Sequence, residues 1–183
     1  DEWYSVENYV PDEHAAVMDK EIAKEAQARR IIPAGNWAVE GEAALGIKVS
    51  VRLGKIKNRP LWDYSRPRDI GLNDRISYDK ARFSTVKDAY ALMRPNYWMY
   101  KVDLSEAFRT VPLASMLWSK HAFNWNGVRY FDTRIPFGTR AAPPSFNRFT
   151  RAAVRHLKSL GHSLVGYIDD FWGIAPTKEE AQE

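Results

Sequence analysis

Two hydrophobic periods alternate along the chain: short alternating runs of strand type, and a few longer stretches with helical spacing. Residues 12–30 predict a helix, with Pro11 and acids at its start, arginines at its end, and Ala15, Met18, Ile22 and Ala26 forming one modest apolar face. Pro33 and Gly35 close it, and the sequence as far as Gly46 reads as loop. Residues 47–53 and 56–62 predict the two strands of a hairpin with a basic tip at Gly54-Lys55. Residues 63–79 are polar and turn-rich. After Ser84 a helix is expected to turn Val86, Ala89, Tyr90 and Met93 inward and to end before Pro95. Residues 97–104 predict a strand that delivers Asp103 at its C-terminal end, followed by a short helical turn over 105–109 that Val111-Pro112 stops. A second hairpin is expected from 121–125 and 128–133, turned by Asn126-Gly127. After Pro143-Pro144 a helix is expected over 145–160, ended by Gly161. Phe146, Phe149, Ala153, Leu157 and Leu160 mark its packing side, and Arg148, Arg151, Arg155 and Lys158 line another. The final hairpin, within 163–175, carries Asp169-Asp170 at its tip.

Composition narrows the classes. With 183 residues, 45% hydrophobic and 27% charged, the chain can bury a core and is not disordered throughout. It has no Cys, which excludes disulfides, zinc-thiolate sites and thiol catalysis and fits a reducing, intracellular setting. His14, His121, His156 and His162 are scattered without metal-ligand spacing. No apolar run is long enough for a bilayer span, and the N-terminus lacks the order of a signal peptide, so no membrane partner is expected. The net charge is only +4, but it is unevenly spread. The first twenty-five residues are acidic, whereas 133–168 hold no acid before Asp169 and accumulate Arg134, Arg140, Arg148, Arg151, Arg155 and Lys158. A second basic cluster comprises Lys48, Arg52, Lys55, Lys57, Arg59, Arg66 and Arg68. A solvated surface normally mixes signs, so this asymmetry points to a polyanionic partner.

The chemistry centres on the acids. An isolated Asp-Asp pair usually marks a solvated turn. Here Tyr167, Ile168, Phe171 and Trp172 flank the pair, so the carboxylates are expected against a core with a compensating cation, for which oxygen-liganded Mg²⁺ is suited. Alone, Asp103 could be an N-cap. Beside the hairpin it offers a third carboxylate, and three converging carboxylates suit two Mg²⁺ ions ~4 Å apart, the arrangement of nucleotidyl transfer.

At this point the sequence resembles the reverse transcriptases of retroelements. Tyr167-Ile168-Asp169-Asp170 resembles the family's Tyr-x-Asp-Asp box, and the run from Lys101-Val102-Asp103-Leu104 through Phe108-Arg109 to Leu113 resembles its first catalytic motif. The run from Ile135-Pro136-Phe137-Gly138 to Phe146 is similar to the motif between them, and Arg59-Pro60-Leu61-Trp62-Asp63 is similar to the fingers motif. Ala44-Leu45-Gly46, Asp63-Tyr64-Ser65 and Leu72-Asn73-Asp74 resemble the tyrosine-recombinase (DIRS-like) branch. The resemblance implies an α+β fold, a palm of antiparallel sheet packed by helices with a small fingers lobe and no thumb. Residues 1–95 would be mainly N-terminal arm and fingers, and 96–183 mainly palm.

It also implies roles. Asp103, Asp169 and Asp170 would be catalytic and hold two Mg²⁺, with Mn²⁺ an alternative. Arg59 would grip the incoming triphosphate, a task suited to a guanidinium fork, with Lys55 or Arg52 assisting. Phe108 would stack beneath the sugar and exclude a 2′-hydroxyl, and plain core is its other reading. Phe137 and Gly138 would lie against nucleotide and template, with Arg140 near phosphate. Independently of the resemblance, the acid-free stripe of Arg148, Arg151 and Arg155 points to nucleic-acid contact, with a solvated face as its other reading. The expected partners are an RNA template, a DNA primer or duplex, dNTPs, and the missing thumb and an RNase H segment of the same polyprotein. The chain is expected to be a fragment or a decayed copy, inactive by itself. Two other readings stand beside an RNA-directed DNA polymerase: a silent nucleic-acid-binding remnant, and an RNA-dependent RNA polymerase, against which Phe108 argues.

Overall fold

Two hairpins form at glycine-containing turns, the first at Leu53-Gly54, one residue earlier than the expected Gly54-Lys55. The computed structural model describes residues 6–78 and 80–182. Residues 1–5 of the arm, Asp79 at the end of the turn-rich stretch and the Arg52 side chain lie outside the described residues. Strands β1 (Ile31–Pro33), β2 (Glu42–Arg52) and β3 (Lys55–Asp63) come first, and β2 pairs antiparallel with β3 from Ala44 opposite Asp63 to Arg52 opposite Lys55. Between them Leu53 and Gly54 take φ of 51° and 73°, the left-handed two-residue turn that matches strand twist. After β4 (Trp98–Asp103), strands β5 (Ala122–Trp125) and β6 (Val128–Asp132) turn the same way, with Asn126 and Gly127 at φ of 50° and 79°.

The chain forms two compact units, Asp1–Ser77 with Phe108–Ala142, and Tyr78–Ala107 with Pro143–Glu183. In the first, a five-stranded sheet runs β1-β6-β5-β2-β3. Helix α1 (Ala15–Gln27) buries Met18 and Ile22 in a core with Leu45, Trp62, Tyr64 and Phe123. The expectation of loop up to Gly46 is corrected: β1 pairs with β6, and β2 begins at Glu42. Glu42 and Ala43 run parallel to Ala122 and Phe123, and Ala43, Ala44 and Leu45 are fully buried. Neighbouring strands thus hold extended a segment whose residues have little strand preference of their own. The turn-rich stretch contains one short helix, α2 (Leu72–Arg75).

In the second unit, helix α3 (Val86–Tyr90) is a single capped turn, in which Thr85 and Asp88 close a reciprocal box. The expected inward face is corrected, since Val86 is 83% and Tyr90 71% exposed. A helix this short cannot develop an apolar stripe. After the short turn α4 (Ala107–Thr110), helix α5 (Ala142–Ser159) starts three residues earlier than predicted, with Pro143 and Pro144 in a first turn that needs no N–H donors. Its inward residues are Phe146, Asn147 and Thr150, whereas Phe149 and Leu160, expected to pack, are 52% and 63% exposed. Inward positions 146, 147 and 150 fall within one arc of the helix, and 149 and 160 fall outside it. Gly161 ends α5 at φ 97° as His162 N–H donates to Leu157 O. Strands β7 (Ser163–Tyr167) and β8 (Asp170–Ala175) complete a sheet of order β4-β8-β7, which lies on α5 so closely that a Cβ on Gly166 would stand 2.6 Å from Thr150 Cγ2. Among the described residues no helix is long and apolar enough to cross a membrane.

Candidate active site

The acids meet at one end of the three-stranded sheet. Asp103, the last residue of β4, stands opposite Asp170, the first of β8, and directly opposed residues share a face. Asp169 lies in the turn between β7 and β8, and its carbonyl accepts a hydrogen bond from Leu104 N–H (3.0 Å), which ties that turn to the end of β4. Ile168 in the same turn has φ 55°, an unfavourable value for a β-branched residue. Thr150 Oγ1 of α5 donates to the Ile168 carbonyl and anchors the strained turn. The surroundings differ from expectation. Phe171 is buried, but Tyr167 and Asp103 are exposed and Asp169 and Asp170 only partly covered, so the carboxylates open to solvent rather than into a core.

A cation already stands among them. Lys101 shares its strand face with Asp103, two residues on, and its Nζ lies 2.8 Å from Asp170 Oδ1. This contact holds the Asp170 carboxyl below the usual carboxylate range and raises Lys101, on which Asp103 and Asp169 also act electrostatically. Among the described residues no three His, Cys, Asp or Glu side chains gather closely enough to hold a metal ion as they stand. The donor set nonetheless fits a hard divalent ion: it is all carboxylate oxygen, and one ammonium neutralises only part of its charge.

The remaining candidates divide by unit. In the second, Arg148, Arg151 and Arg155 are exposed on α5 with Lys158. In the first, Lys48, Lys55, Lys57 and Arg59 occupy one face of the β2–β3 hairpin, because Lys48 pairs with Arg59 and Ser50 with Lys57. Arg59 Nη1 donates to Ser50 Oγ at 3.0 Å, and all four cations are exposed. The tip itself is apolar, with Leu53 95% exposed. Phe108 meets Phe137 edge to face at 5.6 Å. Gly138 adopts φ 89°, and a Cβ there would collide with the Trp62 carbonyl, so only glycine fits. Buried Asn73 holds both sides of this turn: its Nδ2 donates to Gly138 O (2.9 Å) and its Oδ1 accepts from Arg140 N–H (2.7 Å). The Arg140 side chain is exposed.

Beside Phe108 lies a network that sequence reasoning missed. Arg109 is buried, with Nε donating to Glu25 Oε2 at 2.8 Å and Nη1 lying 2.6 Å from Asp132 Oδ1. Tyr64 Oη donates to Asp132 Oδ2 at 3.2 Å, and Arg30 Nη1 reaches Glu25 Oε1 at 3.3 Å. Burial pushes the Asp132 carboxyl up to about 6 against the opposing pull of Arg109. The network ties α1, β6 and the residue that follows Phe108 into one buried ionic clamp. Glu25 falls on α1 three residues after buried Ile22, and that spacing is the one signal that could have placed it inward.

Comparison with known proteins agrees with this fold. A family model described as reverse transcriptase (RNA-dependent DNA polymerase) matches residues 55–183. The retrovirus-related Pol polyprotein from transposon 297 of Drosophila melanogaster is 30% identical over 126 residues, which cover 62% of this chain and 12% of that protein. Among solved structures, the foamy viral protease-reverse transcriptase in complex with RNA/DNA hybrid superposes with a TM-score of 0.75 at 20% identity, covering 96% of this chain and 22% of that one. The same enzyme in complex with dsDNA gives 0.74 at 20% identity, covering 97% and 34%. The native Prototype Foamy Virus protein gives 0.75 at 19%, covering 97% and 22%. The fold is therefore the α+β fingers and palm expected from sequence, and the chain spans about an eighth of the curated relative's length. It belongs to the reverse transcriptase (RNA-dependent DNA polymerase) family.

Proposed function

We propose that this chain supplies fingers and palm to an RNA-directed DNA polymerase in an intracellular retroelement polyprotein of the tyrosine-recombinase (DIRS-like) branch. The observation that carries the reading is the cross-strand pair of Asp103 and Asp170, with Asp169 in the adjoining turn. In this reading the first unit is mainly arm and fingers, and the second mainly palm. The RNA/DNA hybrid and dsDNA bound by the foamy viral relatives support an RNA template and a DNA primer as partners.

The reaction joins a primer 3′-oxygen to the α-phosphorus of a dNTP and releases pyrophosphate. Asp103, Asp169 and Asp170 would hold two Mg²⁺, or Mn²⁺, which when bound supply Lewis-acid activation of the hydroxyl and neutralise the leaving group. Arg59 binds the triphosphate, assisted by Lys55, because their hairpin face carries cations without an intervening acid. Phe137, Gly138 and Arg140 orient the nucleotide from the turn fixed by Asn73. The exposed Arg148, Arg151 and Arg155 neutralise backbone phosphates of the bound nucleic acid.

Phe108 provides the test. Its ring excludes a 2′-hydroxyl sterically, with Phe137 as backing. In a polypeptide extended through its downstream region, Phe108→Val is expected to raise ribonucleotide incorporation relative to deoxynucleotide by roughly 10- to 100-fold with little change in melting temperature. A loss of about 3–5 kcal/mol of stability with unchanged sugar preference would assign Phe108 to the core alone. Equal use of both sugars by the wild type would favour an RNA-dependent RNA polymerase, and nucleic-acid binding without incorporation a silent remnant.

A further inference from the structure

The ammonium among the acids invites a question that the polymerase reading does not answer: what keeps this cluster folded before a metal arrives. Asp103 and Asp170 are directly opposed across two strands, where like charges repel, and Asp169 adds a third negative charge in a turn already strained at Ile168. Lys101 has the position to relieve this. It lies on the same face of β4 as Asp103, next to the strand end, and its Nζ contacts Asp170 Oδ1 at 2.8 Å. Its side chain is 60% exposed, so no packing confines it to that place and it can swing into solvent.

We infer that Lys101 is a built-in placeholder cation: its ammonium occupies the acid cluster in the metal-free chain and is displaced from Asp170 when a divalent ion binds. This deepens the metal-site reading and rests on it. The consequence is competitive. Lys101 makes the metal-free hairpin tolerable, and it weakens the metal by holding one ligand oxygen and by adding a positive charge beside it. Arginine at this position would preserve the charge, whereas glutamine would remove it and keep a comparable length.

The test is metal affinity measured directly on the 183-residue chain at low ionic strength, by calorimetry and by electron paramagnetic resonance of free Mn²⁺. Lys101→Gln is expected to bind Mn²⁺ roughly tenfold more tightly or better, as removal of a unit charge a few ångströms from a divalent ion implies even in a watery dielectric. Lys101→Arg should stay near the wild type. Without metal, Lys101→Gln should melt below the wild type, and Mn²⁺ should raise its midpoint by more. The added affinity should disappear in Lys101→Gln with Asp170→Asn. Equal Mn²⁺ affinity in wild type, Lys101→Gln and Lys101→Arg overturns the inference and leaves the metal site standing, as does weaker binding by Lys101→Gln. No saturable Mn²⁺ binding in any of the three overturns the metal-site reading and the inference with it.

Discussion

Asp103→Asn and Asp170→Asn are each expected to lower primer extension by roughly 10³-fold or more, since loss of a ligand should exceed the roughly 10- to 100-fold cost of losing a group that only orients a ligand. Measured in the downstream-extended polypeptide, the loss should fall on turnover rather than on binding of primer and template. The variants should fold. Asp103 is exposed and Asp170 partly so, and neither fills a core position. Asp103→Asn removes one member of a directly opposed like-charged pair, so its metal-free melting temperature should equal or slightly exceed that of the wild type. Asp170→Asn also releases Lys101 and should not gain. An Asp103→Asn protein that unfolds would show the carboxylate to be structural. One that folds and retains near-wild-type extension would remove it from catalysis.

Arg109→Met is expected to cost about 3–5 kcal/mol of stability, because it strips buried Asp132 of its cation and leaves buried Glu25 with the Arg30 contact. The pH dependence identifies the cause. Burial lifts the Asp132 carboxyl from its ordinary 3.8 to about 6 in the fold, so the folded state holds its proton more tightly than the unfolded chain. The associated stability is complete below pH ~4 and lost as the pH rises through about 6, by at most roughly 3 kcal/mol. Arg109 exerts the largest downward pull on this value, with the Tyr64 hydrogen bond adding to it. Without Arg109 the Asp132 value rises further, and the loss extends to higher pH. Urea unfolding should therefore show a larger deficit for Arg109→Met at pH 8 than at pH 5. An equal deficit at both would mean that the guanidinium contributes packing alone.

The parts of the fold legible in sequence are those with local causes. Gly54 and Asn126-Gly127 announced their hairpins because a left-handed turn needs such residues, and the strand ending at Asp103 followed from its own apolar run. The start of β2 was not legible. Glu42, Ala43 and Ala44 become strand through pairing with β5 and burial, and no local propensity carries that information. The α3 face failed for the opposite reason: Val86, Tyr90 and Met93 have helical spacing, but the helix ends after one turn. The three aspartates, Arg59, Phe108 and Phe137 could be named as candidates from the family resemblance of their motifs. The Arg109–Glu25–Asp132 clamp joins residues 84 positions apart, and Asn73 reaches Gly138 from 65 positions away. Only the folded chain places such partners together. Lys101 was visible as part of a motif, yet its contact with Asp170 depends on the register of β4 against β8.

In the proposed function Asp103, Asp169 and Asp170 form one divalent-metal site. The most direct test is titration of the isotopically labelled chain with substoichiometric Mn²⁺, reading the paramagnetic broadening of backbone amide signals. Broadening should be strongest at two sequence-distant stretches, around Lys101–Leu104 and around Tyr167–Trp172, with the adjoining part of α5 near Thr150 affected less, and should be abolished together at both by Asp103→Asn or Asp170→Asn. Broadening at only one of the two, or centred on the acidic residues of α1, would contradict it.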